Sequence, residues 1–160
     1  MFHIGDKAVY PGHGVGVIEA IETKRISGKE QSFYILRFVD NGMTIMVPED
    51  NVESAGLRTV IRKIEVRKVI GILKDREITL DNQTWNRRYR EYMEKINKGS
   101  IYEIAEVFRD LHILKSEKEL SFGEKKIMDM AKTLLVKELA IAKDVKESNI
   151  LKEIHMIFGA

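Results

Sequence analysis

The chain has 160 residues, 44% of them hydrophobic and 32% charged, with a formal net charge of +2, which suits one large or two small globular domains and excludes a disordered chain. It contains no cysteine, which excludes disulfides, a thiolate nucleophile and sulfur-ligated zinc or iron. No apolar run approaches the ~18 residues of a membrane span, and His3, Asp6 and Lys7 interrupt the start where a signal peptide needs an apolar block, so a cytoplasmic protein is expected.

Residues 1–55 read as a small antiparallel β unit. Segments 7–10, 15–26, 31–39 and 43–47 are rich in Val, Ile, Phe, Tyr and Thr, with turn chemistry at Pro11-Gly12, Ser27-Gly28 and Asp40-Asn41-Gly42 between them. Four or five short strands in about 50 residues are too few for a two-sheet sandwich, so a small SH3-like or Tudor-like barrel with one open edge is predicted. From Leu57 onward the apolar spacing becomes helical. Val60, Ile61, Ile64 and Val69, Ile70, Leu73 open it, Ile101 to Leu111 continue it, and stripes starting at Ile127 and Ile150 complete it. Ser100-x-x-Glu103 and Ser121-x-x-Glu124 have the form of capping boxes, and Gly99 and Gly159 punctuate helix ends. The predicted fold class is α+β: a β-barrel domain over 1–55 and an all-α bundle of about five helices over 56–160.

Charge is unevenly spread. Residues 1–55 hold five Lys/Arg against eight Asp/Glu, residues 56–100 hold twelve against six, and residues 101–160 hold ten against eleven. A confined basic block fits either an anionic partner such as nucleic acid or a solvated helical face. Within it, Thr84-Trp85-Asn86-Arg87-Arg88-Tyr89-Arg90 puts the single tryptophan at the start of a predicted helix beside three arginines. Trp85 shares a stripe with Tyr89, Tyr92, Met93 and Ile96, which is the pattern of a packing anchor. At a first turn it can also project past the stripe as a wedge against bases, with Arg87, Arg88 and Arg90 on the polar flank near phosphates. Tyr89, Tyr92 and Met93 are expected in the core on either reading.

Catalytic signatures are missing from the sequence. Pro11-Gly12-His13-Gly14-Val15-Gly16 runs into a strand, so it reads as a glycine-rich turn and not a phosphate loop, and His3, His13, His112 and His155 lack the i, i+4 spacing of a helical metal pair. No nucleophile elbow accompanies any serine. An enzyme, a metal site and a cofactor are therefore not expected. In the N-terminal unit, the third and fourth strands and the Lys24-Arg25-Ile26 strand end offer an edge where a partner can add a strand, or where the unit docks on its own helical domain.

A series of motifs resembles the CarD family of bacterial transcription regulators. Gly5-Asp6-Lys7-Ala8-Val9-Tyr10-Pro11-x-His13-Gly14, Glu19-Ala20-Ile21-Glu22-Thr23, Val47-Pro48 and Gly56-Leu57-Arg58 carry it in the first part. Trp85-x-Arg87-Arg88-Tyr89, Ala105-Glu106-Val107-x-Arg109-Asp110-Leu111 and Leu120-Ser121-x-Gly123-Glu124-Lys125 follow in order, so the resemblance spans essentially the whole chain.

That resemblance implies a non-catalytic adaptor. Its Tudor-like domain, similar to the polymerase-interacting module of transcription-repair coupling factor, would bind the RNA polymerase β subunit. Its helical domain would meet promoter DNA at the upstream edge of the bubble, with Trp85 wedged in the minor groove to stabilise the open complex. Arg87 and Arg88 match family arginines, Arg90 falls where members carry Lys or Arg, and Lys125 matches a basic position implicated in DNA contact. Lys24, Arg25, Ile26 and Met46 fall on the polymerase side; Lys24 replaces an arginine and keeps its charge, whereas Met46 stands where some members have arginine. The sequence ends at Ala160 without the AT-hook-like tail of the founding member, as in the short subtype. No membrane or small-molecule partner is implied. The alternative reading is a basic helical nucleic-acid-binding protein acting independently of polymerase.

Overall fold

The computed structural model describes residues 1–77 and 84–159 and divides into two compact units, Met1–Val60 and Ile61–Ala160. The sequence end at Ala160 and residues 78–83 lie outside the described part.

The first unit is a five-stranded antiparallel sheet. Strands β1 (Lys7–Tyr10), β2 (Gly14–Ile26), β3 (Lys29–Phe38), β4 (Thr44–Pro48) and β5 (Arg58–Thr59) are arranged in the order β4-β3-β2-β1-β5, the small Tudor-like arrangement predicted. The one-turn helix α1 (Val52–Ala55) precedes β5, and Gly56 ends it in the left-handed region at φ 76°. Because β5 lies beyond Ala55, the sheet unit runs five residues past the boundary placed by composition. Phe2, Ala8, Ile18, Tyr34, Leu36, Phe38, Val47 and Leu57 form its core. Gly16 has a packing reason: a Cβ there would stand 2.7 Å from the Leu36 side chain.

Two local features aim the far end of this sheet. The β2–β3 ladder shifts register between Ile18 and Ala20, leaving Glu19 as an extra residue on β2, a bulge of the kind that bends and twists a strand. Ser27 and Gly28 then turn the chain with φ of 51° and 80°, the paired positive φ of a two-residue hairpin turn whose twist matches the strands. Residues Glu22 to Ile26 of β2 are all exposed, so the hairpin extends beyond the core as a two-stranded ribbon.

The second unit is helical: α2 (Val66–Lys74), α3 (Trp85–Lys98), α4 (Ile101–Glu117), α5 (Phe122–Lys143) and α6 (Glu147–Phe158). Those are five helices among the described residues of this unit, as the apolar stripes predict. Phe108, Leu111, Ile127, Leu135, Leu139 and Ile150 are buried at its centre. Glu138, also buried, accepts a hydrogen bond at 3.0 Å from the Ile61 amide, which pins the start of the unit to α5. His112 stacks on Phe158 at 4.2 Å and meets Phe108 edge-on, and burial pushes its pKa down to about 4, with Lys115, Arg76 and Lys132 adding to the shift.

Three expectations fail here. Val60, Ile61 and Ile64 do not open a helix; Lys63–Glu65 is a single 3-10 turn and Ile64 is exposed, because three apolar residues at helical spacing cannot offset the cost of nucleation. Leu57 belongs to the sheet core. Ser100 precedes α4 without a side-chain capping hydrogen bond. Among the described residues no helix is long and apolar enough to cross a membrane.

Candidate functional site

The start of α3 is built by Thr84, whose hydroxyl oxygen accepts from the Arg87 amide at 3.4 Å, so Trp85 occupies the first helical position. The stripe that begins there divides along its length. Tyr92 and Ile96 are buried and Met93 packs against the core, whereas Trp85 is 37% exposed and Tyr89 is 43% exposed. Tyr89 therefore stands outside the core where it was expected, against Trp85 edge-on at 5.6 Å. The buried part of the stripe begins at Tyr92, and the two rings nearer the helix start lie outside it.

Trp85 is nevertheless held. Its six-membered ring lies on Gly123, where a Cβ would come within 2.8 Å of Cζ2, so only glycine at the start of α5 leaves room for the indole. That start is fixed by a complete capping box: the Ser121 amide donates to Glu124 Oε1 at 2.8 Å, and the Ser121 hydroxyl accepts from the Glu124 amide at 3.2 Å. Glu124, 1% exposed, also accepts from Lys118 Nζ at 3.0 Å and has Arg88 at 3.6 Å from its second oxygen. Burial would raise the Glu124 carboxyl, but hydrogen bonds from Ser121 and Lys118 outweigh it and hold the group below its ordinary value. A buried carboxylate with two cations thus joins α3 to α5 beneath the exposed rings.

This network separates the arginines that the sequence set on one flank. Arg88, its side chain only 16% exposed, turns inward to Glu124; three residues after Trp85 and four before Tyr92, it lies on the packed face. Arg87 is exposed, 3.6 Å from Glu91, and Arg90 is exposed. Lys125 is exposed on the first turn of α5, one residue past Glu124, with Lys126 beside it. Trp85, Arg88 and the capping box therefore form one cluster, while Arg87, Arg90 and Lys125 are the outward cations.

Phe122 is 85% exposed at the first position of α5, immediately before the glycine that carries Trp85. Sequence reasoning passed over it. The signal was the capping box itself, which makes the residue after Ser121 the first of a helix and places it outside the stripe that begins at Ile127.

On the sheet ribbon, register decides which of the other candidates meet. Ala20 pairs with Ile35 and Ile35 with Met46, and Lys24 pairs with Gln31. Alternation from those pairs places Lys24, Ile26 and Met46 on one face and Arg25 on the other. Lys24 Nζ approaches Met46 Sδ at 4.0 Å, and Ile26 and Met46 are both exposed. Phe33, half-buried on the same face, was also missed and is recoverable only from register. β4, which carries Met46, is a terminal strand of the sheet.

The chain thus joins a five-stranded unit with a terminal strand and an exposed ribbon to a helical unit with exposed aromatic rings and outward cations. The helical unit matches the CarD, C-terminal domain family over residues 68–155, and the sheet unit matches the CarD-like/TRCF RID domain over residues 2–64. YdeB of Bacillus subtilis (strain 168), named as a candidate transcription factor, is 39% identical over 150 residues, 94% of this chain and 97% of its own. CdnLNt from Myxococcus xanthus is 54% identical, covering 38% of this chain and 86% of that one with a TM-score of 0.34. The solution structure of the 72-residue N-terminal domain of Myxococcus xanthus CarD is 36% identical, covering 37% and 79%, with a TM-score of 0.33. The chain belongs to the CarD family, which makes it a transcription regulator with an RNA polymerase-interaction domain in its sheet unit.

Proposed function

We propose that this regulator ties the β subunit of RNA polymerase to promoter DNA at the upstream edge of the transcription bubble and lengthens the life of the open complex. The observation that carries the reading is Trp85: a partly exposed indole at the first turn of α3, seated on Gly123 and backed by a buried ion-pair cluster. A wedge must present a flat apolar ring and must not fold away when the duplex pushes back. The Gly123 seat and the Arg88–Glu124 contact supply that rigidity.

In this reading Trp85 enters the minor groove at a partly unstacked step. Arg87, Arg90 and Lys125 hold flanking phosphates, while Arg88 acts chiefly by positioning the start of α5. Such contacts are nearly independent of sequence and weaken with salt. The polymerase contact is the ribbon face of Lys24, Ile26 and Met46 with the adjoining β4 edge, where main-chain pairing gives affinity and alternate side chains give specificity. Arg25, on the opposite face, has a secondary part there. Tethering raises the local concentration of the helical unit at the bubble, so its own DNA affinity can be low. Only preference for unstacked over stacked DNA shifts the equilibrium, and ~1.4 kcal/mol of it changes the open-to-closed ratio tenfold. No covalent chemistry, metal or cofactor enters this mechanism, and it operates in the cytoplasm.

The test is the lifetime of a bacterial polymerase open complex after competitor challenge, with and without the protein. A clear lengthening that Trp85→Ala abolishes, with binding of the β subunit retained, is the expected result. No lengthening despite β-subunit binding would remove the open-complex mechanism.

A further inference from the structure

We propose that Phe122 is a second aromatic DNA contact, set beside Trp85 so that the protein grips the edge of the bubble with two rings from two different helices. The inference rests on the wedge reading of Trp85 and extends it to Phe122, the unspecified position within the Leu120-Ser121-x-Gly123-Glu124-Lys125 motif.

Phe122 is the most exposed aromatic side chain among the described residues of the helical unit, at 85%, and an apolar ring of that size left in water at the rim of a packed bundle forgoes the gain of burial. Its neighbours say what covers it. The next residue, Gly123, is the seat of the Trp85 indole, so any ligand on the exposed edge of Trp85 reaches the first turn of α5. The exposed charges nearby are Arg87, Arg90, Lys125 and Lys126 against Glu91, which pairs with Arg87, and Glu119, whereas the carboxylate nearest the ring, Glu124, is buried and already held by Lys118 and Arg88. Cations outnumber carboxylates four to two around the ring, which suits a polyanion that also offers flat apolar faces: the bases and sugars of partly opened DNA.

The backbone that carries the ring is also fixed. Ser121 is tied to Glu124 in both directions, so the backbone that carries Phe122 is locked to the same carboxylate that anchors α3 through Arg88. Trp85 and Phe122 are thus held by one cluster and keep their relative positions when DNA docks. A single wedge can open a base step; a second ring on an adjacent helix can stack on a base already displaced and oppose its return. Such stacking tolerates any sequence because every base has a flat face.

The test uses the full chain with bacterial RNA polymerase on promoter DNA carrying 2-aminopurine at the upstream edge of the bubble. Phe122→Ala is expected to shorten the open-complex lifetime roughly fivefold and lower 2-aminopurine emission, with thermal stability unchanged, and Phe122→Trp to restore both. A Phe122→Ala protein with the full lifetime and emission overturns the proposal. So does a Phe122→Ala protein that loses polymerase binding without DNA, which would make the ring a protein contact. Trp85→Ala run in parallel separates the two failures. Loss with Trp85→Ala and none with Phe122→Ala removes only the second contact, and no loss with either removes the wedge reading beneath it.

Discussion

The two proposed contact surfaces are supported in opposite ways. On the sheet unit, Lys24, Ile26 and Met46 stand on a ribbon beyond the core, held by ladder register and a tight turn, with a long 4.0 Å contact between Lys24 and Met46. On the helical unit, Trp85 and Phe122 stand at helix starts above a buried carboxylate that gathers Ser121, Lys118 and Arg88. A contact face carried by backbone register can change side chains without cost to the fold. One carried by a buried charge cannot.

The largest expected effect sharpens that contrast. Glu124→Ala removes the capping box and leaves Arg88 and Lys118 without their shared carboxylate, and should lower the stability of the helical unit by about 3 kcal/mol, read as a fall in unfolding midpoint. Emission of the single tryptophan should shift to the red in the folded protein. A loss under ~1 kcal/mol would mean that the cluster is not what holds α3 to α5.

Next comes a pH effect confined to the helical unit. His112 titrates at about 4 in the folded chain, against an ordinary value of 6.5. Between those values the unfolded chain takes up a proton that the folded chain refuses. Stability is therefore complete above 6.5 and is lost progressively as pH falls towards 4. His112→Phe should flatten that part of the urea-midpoint profile, and an unchanged slope would assign it elsewhere. Glu124 acts lower: its depressed pKa gives stability above 4.5 that disappears as pH drops through the folded value.

Gly123→Ala tests the seat of the indole. The added Cβ would stand 2.8 Å from Cζ2 of Trp85, so the ring must move, at a cost of about 1 kcal/mol. Trp85 emission and the open-complex lifetime should change together, and loss of neither would show that the seat is loose. The smallest effect on folding belongs to the ribbon. Lys24→Glu should leave the unfolding midpoint within about 0.5 kcal/mol while weakening polymerase binding, and Arg25→Glu, on the opposite face, should weaken it less. Equal losses would break the assignment of faces.

Much of the fold is legible in the sequence because the patterns are local. The first four strands fall within two residues of their alternating segments, and the helical stripes at 101–111, 127–139 and 150–158 lie on α4, α5 and α6. What was not legible depends on contacts between distant segments. Two residues, Arg58 and Thr59, are too short to show alternation and become β5 only by pairing with Val9 and Ala8. Residue type alone groups Arg88 with Arg87 and Arg90 on a polar flank, yet its helical position faces the bundle and its partner Glu124 lies 36 positions later. The same distance hides why Trp85 is neither buried nor free: the stripe is real, but its buried part begins only at Tyr92.

The bulge at Glu19 decides which cation shares the face of Met46, the face proposed for polymerase contact. In a regular ladder continuing from Ile18, odd and even residues of β2 would exchange sides, and Arg25 would share a face with Met46 in place of Lys24. Glu19 makes an exposed ion pair with Arg37 at 3.6 Å, but by occupying an unmatched position it sets the reading frame of everything up to the hairpin turn. The identity of the presented side chain is thus written upstream as a matter of counting, and a one-residue slip there would rewrite the surface while leaving every residue on it unchanged.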